Sequence, residues 1–274
     1  MTFQEWCISQ KDKVKQQFHQ IMKYDFDFEH PKTISEKFNW LKVYDSTFLK
    51  TLCSDKLKVR DYVKDKIGED LFLPVLGVYD KFEQIDFSKL PKDYVIKCNH
   101  GSGMNIIVKD GKIDKADAKR KIDKWMQTDY LHLLEFHYKP IQKKIFVEQY
   151  QNNGELGLID YKFWCFNGKP KFFTINAGNG HGPITYYNLD GSKFKYHRSD
   201  VPYNANLNWN MPRNLEKMIE YSKILSKDFK FVRVDFYEIN NMIGMSELTF
   251  IPGGGYVHYS NDGDLRIGEM LDLQ

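Results

Sequence analysis

The sequence predicts an α+β protein rather than a doubly wound parallel sheet. Helical spacing dominates the first 70 residues, and the strand-like runs that follow are mostly joined as hairpins. Only two later helical stretches, 116–136 and 215–228, interrupt those runs.

Taken in order, Thr2 to Tyr24 and Thr33 to Asp45 read as helical. The segment opening at Ser54-Asp55 places Leu57, Tyr62, Val63 and Ile67 at near-helical spacing, with Ser54 or Asp55 as a cap and Gly68 as its end. LFLPVLGVYD is an apolar strand interrupted by Pro74. Tyr94 to Ile113 reads as strand, glycine loop, strand and a Lys-Asp-Gly-Lys turn, and IFVEQY is a short strand. DYKFWCFNGKPKFFTIN forms a hairpin around Asn167-Gly168. A last hairpin runs from Phe231 to Ile251 and turns at Glu238 to Asn241, where Asn-Asn tolerates left-handed backbone.

With 274 residues the chain can hold one large domain or two interlocked lobes. Its 40 basic and 37 acidic side chains leave a net charge of +3, which offers no broad electrostatic case for nucleic acid. Cys7, Cys53, Cys98 and Cys165 are widely spaced, which disfavours a zinc site or a disulfide framework and fits a reducing compartment. Neither a signal-peptide pattern nor an apolar run long enough for a membrane span is present, so a cytoplasmic location is expected.

The most informative stretch is FVRVDFYEINNMIGMSELTFIPGGGY, Phe231 to Tyr256. Alternation puts Arg233, Asp235 and Tyr237 on one face of the first strand and Glu247 and Thr249 on one face of the second. If the hairpin pairs around its turn, Asp235 and Glu247 come close. Adjacent carboxylates repel unless a cation bridges them. Mg²⁺ suits them, because it takes a few hard oxygen ligands from protein and leaves the rest to water and phosphates. A surface hairpin with ordinary polar alternation has the same spacing.

Other candidates lie upstream. Lys97 precedes His100-Gly101-Ser102-Gly103, and a glycine loop between strands can offer backbone N–H groups to phosphates that the lysine also meets. Neither common phosphate motif is matched, and a plain hairpin loop fits the same residues. Glu148 ends the strand IFVEQY and can accept from an exocyclic amine such as that of adenine, with Gln149 and Tyr150 on the ring edge. It also fits an edge-strand carboxylate. Lys162 can meet a phosphate that Asp160 orients, or the two form an exposed ion pair. Lys56 and Arg60 share a helix face if that segment is helical from Ser54. Glu155 and the glycine-rich loop from Asn176 to Tyr187, with His181, are further candidates for ribose and acceptor contacts, or plain surface loops.

Taken in order, DKLKVRDYV, YVIKCNHGSG, VEQY, DYKFWCFNGKPKF, FVRVDFY and SELTFIPGGGY closely resemble the TupA-like branch of the ATP-grasp superfamily, from about Asp55 onward. The resemblance implies two α+β lobes clasping ATP after a short, mainly helical N-terminal region. The implied division is a helical region over 1–70, a first lobe with glycine loop and hinge strand over 71–150, and a second lobe carrying the metal site over 151–274. Lys97 and Lys56 match nucleotide-contacting lysines, with Lys58 and Arg60 less closely matched. Gly101, Ser102 and Gly103 match the loop closing over the phosphates, and Glu148, Gln149 and Tyr150 match the adenine hinge. Asp235 and Glu247 match Mg²⁺ ligands, and Arg233 matches the arginine that steadies the transferred phosphoryl group. Thr249 stands where the superfamily usually has Asn, and a hydroxyl can still ligate Mg²⁺.

By that resemblance the chain is an ATP-dependent, ADP-forming carboxylate–amine ligase with ATP and Mg²⁺ as cofactors. Its partners would be a small-molecule or glycan-linked carboxylate and an amine, in a bacterial cell-surface polysaccharide context. An ATP-grasp kinase acting on a sugar hydroxyl and a nucleotide-sugar glycosyltransferase are the alternatives. The lack of an evident DxD disfavours the second of these.

Overall fold

The computed structural model describes residues 1–151, 158–176, 183–204, 206–207 and 209–274. The chain opens with five helices: α1 (Phe3–Ser9), α2 (Lys11–Met22), α3 (Ile34–Tyr44), α4 (Phe48–Ser54) and α5 (Val59–Ile67). Capping boxes at Thr2 with Glu5 and Thr33 with Glu36 open α1 and α3. The expected helix over Thr2 to Tyr24 is two, because the chain bends at Gln10, whose N–H bonds to Cys7 O, and α2 closes on Lys23 in the left-handed region.

The segment from Ser54 also differs from expectation. Helix α4, which the sequence pattern did not reveal, ends at Ser54, and α5 begins only at Val59. Between them Asp55 Oδ1 accepts from Leu57 N at 2.9 Å, holding a turn rather than a helix. Lys56 therefore sits on that turn, not on the helix face assigned to it.

Two antiparallel sheets follow. The first has the order β1-β4-β2-β3, built from β1 (Val75–Tyr79), β2 (Tyr94–Cys98), β3 (Asn105–Val108) and β4 (Ile145–Gln149). Helix α6 (Lys115–Gln127) covers one face, where Ile96, Cys98, Val108, Ala118, Ile122, Ile145 and Val147 form a core. By alternation Lys97, Phe146 and Glu148 point to the other face. Helix α6 was expected to reach Phe136 but ends at Gln127. Thr128 caps it by donating to Lys124 O, and the chain peels away to carry Tyr130 and Phe136 to other contacts.

The second sheet has the order β7-β6-β5-β8-β9, from β5 (Asp160–Phe166), β6 (Lys169–Asn176), β7 (Ile184–Asn188), β8 (Phe231–Ile239) and β9 (Met242–Thr249). Helix α7 (Leu215–Ser226) packs on β5, β6 and β8. On the opposite face α3 seals one end, with the rings of Phe38 and Phe231 centred 4.6 Å apart. The C-terminal helix α8 (Gly263–Glu269) closes against α3, and Lys37 Nζ donates to Gly268 O at 2.9 Å and Leu271 O at 2.6 Å. The β8–β9 turn is tighter than expected: only Asn240 and Asn241, both at positive φ, lie between the strands.

Candidate functional site

The end of the second sheet that α3 leaves open faces the site side of the first across a cleft of about 300 Å³. Lys56, Arg60, Lys97, Glu148, Lys162 and Glu247 contribute to its lining. Asp235 lies opposite Glu247 in the β8–β9 ladder, and that pairing depends on a bulge between Asp235 and Phe236. From the turn to Phe236 the ladder is regular. Continued without the bulge, it would set Glu247 opposite Val234, on the core face. The extra residue, Ser246, returns Glu247 to the face of Asp235.

Across β8 and β5, Asp235 pairs with Lys162, and Arg233 with Trp164. Asp235 is fully buried and saturated by cations. Arg233 Nε donates to its Oδ1 at 2.7 Å and Nη2 to its Oδ2 at 2.6 Å, while Lys162 Nζ donates to Oδ2 at 2.8 Å. Lys162 also pairs with Asp160 at 3.1 Å. Arg233 Nη2 lies 3.0 Å from Thr249 Oγ1 and 3.4 Å from Glu247 Oε1, and Thr249 donates to that same Oε1 at 3.0 Å. Oxygens of Asp235, Glu247 and Thr249 thus converge on one cationic nitrogen. Among the described residues no group of three His, Cys, Asp or Glu side chains forms a metal site. Two carboxylates and a hydroxyl are nevertheless a hard-oxygen set of the kind that Mg²⁺ takes.

The charges hold one another. Burial pushes the Glu247 carboxyl up, yet Lys56, Arg233 and Lys162 together bring it down to about 2. Burial works against the Lys162 ammonium too, and Asp235 and Asp160 more than offset it, so its pKa is raised. Lys56 is held below its ordinary value by burial, with Glu247 acting in the opposite sense.

The first sheet supplies the other wall. Lys97 ion-pairs with Glu148 Oε1, and Arg60 Nη2 reaches Glu148 Oε2 at 3.1 Å while its Nη1 donates to Leu73 O at 2.6 Å. The Glu148 carboxylate is therefore held between two cations. Gln149 and Tyr150 do not line the cleft; Gln149 N–H bonds to Pro74 O at 3.1 Å, and Lys109 Nζ stands 5.0 Å from the Tyr150 ring. Lys56 donates to Gly101 O and so fastens the glycine loop from behind. A side chain at Gly101 would strike Tyr130, with Cβ 2.6 Å from Cδ2, whereas Ser102 and Gly103 open to the cleft.

Some candidates lie elsewhere. His100 is buried with Nε2 3.0 Å from Trp125 O, a structural position at the end of α6. Lys58 is exposed and lines no part of the cleft. Glu155, His181 and the central part of the 176–187 loop lie outside the described residues. The apolar lining from Phe72, Met104 and Phe146 had not been singled out in the sequence, although Phe146 pairs with Lys97 and so shares its face.

A family model described as TupA-like ATPgrasp matches residues 36–272. The chain belongs to the TupA-like ATP-grasp family. Similar solved structures include D-alanine–D-alanine ligase from Helicobacter pylori, at 19% identity and a TM-score of 0.48 over 81% of this chain and 62% of that one. The same ligase from Bacillus anthracis, complexed with ATP, gives 16% and 0.44 over 78% and 57%. An L-amino acid ligase from Bacillus licheniformis gives 16% and 0.47 over 89% and 55%. This chain thus spans less than two thirds of the length of each. Among curated proteins none matches. No helix among the described residues is long and apolar enough to cross a membrane.

Proposed function

We propose that this ATP-grasp protein is an ATP-dependent carboxylate–amine ligase working through an acyl phosphate. The observation that carries the reading is the Asp235–Glu247 pair, set opposite in register, with Glu247 and Lys162 lining a cleft whose other wall bears Lys97 and the glycine loop, and with Asp235 buried behind them on Arg233 and Lys162. ATP would lie across the cleft, its base toward the end of β4 at Glu148 and its phosphates toward Lys97, Lys162, Lys56 and the loop Gly101–Gly103. Asp235, Glu247 and Thr249 are the residues that would hold Mg²⁺. When bound, the ion would neutralise charge on the β- and γ-phosphate oxygens.

In this reading the protein contributes position and fixed charge rather than a covalent nucleophile. A substrate carboxylate oxygen attacks the γ-phosphorus and ADP departs. An amine then attacks the acyl carbon and phosphate leaves, giving the amide. Arg233, freed from part of its hold on Asp235, would steady the transferred phosphoryl group, and Lys162 would follow the phosphate charge. An acid borne by a cell-surface glycan precursor, such as a uronic acid or an amino acid, is the substrate class we favour by family analogy.

The test is nucleotide turnover with panels of acids and amines, with mass analysis of the products. ADP and free phosphate released only when both partners are present support ligation. A phosphorylated product formed without any amine would replace the ligase with a kinase.

A further inference from the structure

The cleft wall built on the first sheet draws a residue from the N-terminal helices. Arg60, the second residue of α5, lines the cleft together with Phe72, Leu73, Lys97 and Glu148. Its guanidinium fork spans two pieces of that wall, with Nη1 donating to Leu73 O at 2.6 Å and Nη2 to Glu148 Oε2 at 3.1 Å. The Phe72 ring adjoins the same group, its centroid 5.0 Å from Cζ. Gln149 N–H bonds to Pro74 O at 3.1 Å, so backbone also joins the strand of Glu148 to the segment of Leu73. Among the described residues Arg60 Nε is buried without a partner, and the fork is committed to the wall through its two terminal nitrogens.

Glu148 stands between Arg60 and Lys97. Lys97 faces Phe146 in the β2–β4 ladder, which makes Glu148 its diagonal neighbour on the cleft face. Each carboxylate oxygen has its own cation, Oε1 that of Lys97 and Oε2 that of Arg60. The two cations are held unequally. The Arg60 side chain is 16% exposed and has a second bond to Leu73, whereas that of Lys97 is 27% exposed and, among the described residues, pairs with Glu148 alone.

An anion entering the cleft must compete with Glu148 for the Lys97 ammonium. A buried carboxylate that loses its sole cation is left uncompensated, which makes such an exchange costly. With Arg60 in place Glu148 keeps a charge-assisted bond when Lys97 turns away, so the exchange costs less. Burial lowers the Arg60 pKa and the Glu148 charge opposes that effect, as fits a guanidinium committed to this carboxylate.

Resting on the nucleotide site of the ligase reading, we propose that Arg60 is a positioning residue, which retains Glu148 on the wall so that Lys97 is released to the phosphates of ATP. In this role Arg60 does not itself touch the nucleotide. The rival roles are a direct nucleotide contact and a purely structural tie between α5 and the first sheet.

Calorimetric titration of the full chain with ATP and Mg²⁺, carried through a double-mutant cycle, separates them. Arg60→Met is expected to weaken ATP binding about tenfold. The same substitution in a Glu148→Gln background, where no carboxylate competes for Lys97, is expected to change the affinity by no more than about twofold. A nucleotide contact or a structural tie would lose affinity equally in both backgrounds. An equal loss in both, or no loss in either, would overturn the assignment. Should Arg60→Met fail to fold, Arg60→Lys, which keeps the charge without the fork, is read through the same cycle. A loss of about threefold confined to the chain with Glu148 is then expected, and an equal effect in both backgrounds would again overturn the role. Wild-type ATP binding without this coupling removes only the Arg60 role, and absent ATP binding overturns the ligase reading and the Arg60 role with it.

Discussion

Asp235 has no exposed surface, yet it carries a full set of charge-assisted bonds from Arg233 and Lys162. Replacing it with Asn leaves those two cations facing a neutral amide. Breaking a buried pair from one side costs about 3–5 kcal/mol, so Asp235→Asn is expected to lose stability on that order in urea unfolding, besides losing any metal. Were its stability unchanged, the ion pairs around Asp235 would contribute nothing. Glu247 gives a pH test. Its carboxyl is depressed from 4.5 to about 2, burial being outweighed by Lys56, Arg233 and Lys162. A depressed carboxyl stabilises the fold fully above its unfolded value, and that contribution fades as pH falls from about 4.5 towards 2. The urea midpoint of the wild type should drop through that window more steeply than that of Glu247→Gln.

At the scale of elements, β9 and the turn after it do the positioning. The Pro252–Gly255 turn sets Gly254 at φ 64 against Leu133, so Gly254→Ala meets both a strained backbone and a clash. A loss of about 1–3 kcal/mol is expected. Leu133→Ala should recover only the steric part, and full recovery would show that the backbone is unstrained. The alternation of FVRVDFY and SELT was enough to place Arg233, Asp235, Glu247 and Thr249 together, but the bulge that makes this pairing possible left no mark in the spacing. Ser246 looks like any other strand residue, and only the register reveals the extra position. The end of α6 was hidden for a related reason. Thr128 to Phe136 keeps a helix-compatible composition, and its departure is fixed by the tertiary contacts of Tyr130, Leu133 and Phe136. Lys97, Glu148 and Lys162 were legible because strands have a fixed period of two. Lys56 was read as sharing a helix face with Arg60; it lies instead on a turn, from which it reaches Gly101 and lines the same cleft as Arg60.

For the whole molecule, the N-terminal helices are part of the machinery that holds the second sheet. Ile34, Phe38 and Leu41 share a core with Phe163, Phe231 and Val234. Ser35 Oγ donates to Val257 O at 2.8 Å and Asn39 Nδ2 to Gly255 O at 2.8 Å, so α3 grips the segment that follows β9. The last helix completes the closure. A Cβ on Gly268 would lie 2.3 Å from Lys32 O, and backbone cannot swing aside as a side chain can. Gly268→Ala is expected to destabilise the whole chain by about 2–3 kcal/mol in a single cooperative transition. A separate, early unfolding of the N-terminal helices would contradict that coupling.

The central claim is that the Asp235–Glu247 pair and the lysines above it form a magnesium-dependent ATP site. Calorimetric titration of the full chain with ATP, with and without Mg²⁺, tests it most directly. One site per chain that needs Mg²⁺ for full affinity, and that is lost in Glu247→Gln while the variant remains folded, is the predicted result. Absence of ATP binding in the presence of Mg²⁺, or undiminished Mg²⁺-dependent binding by Glu247→Gln, would contradict it.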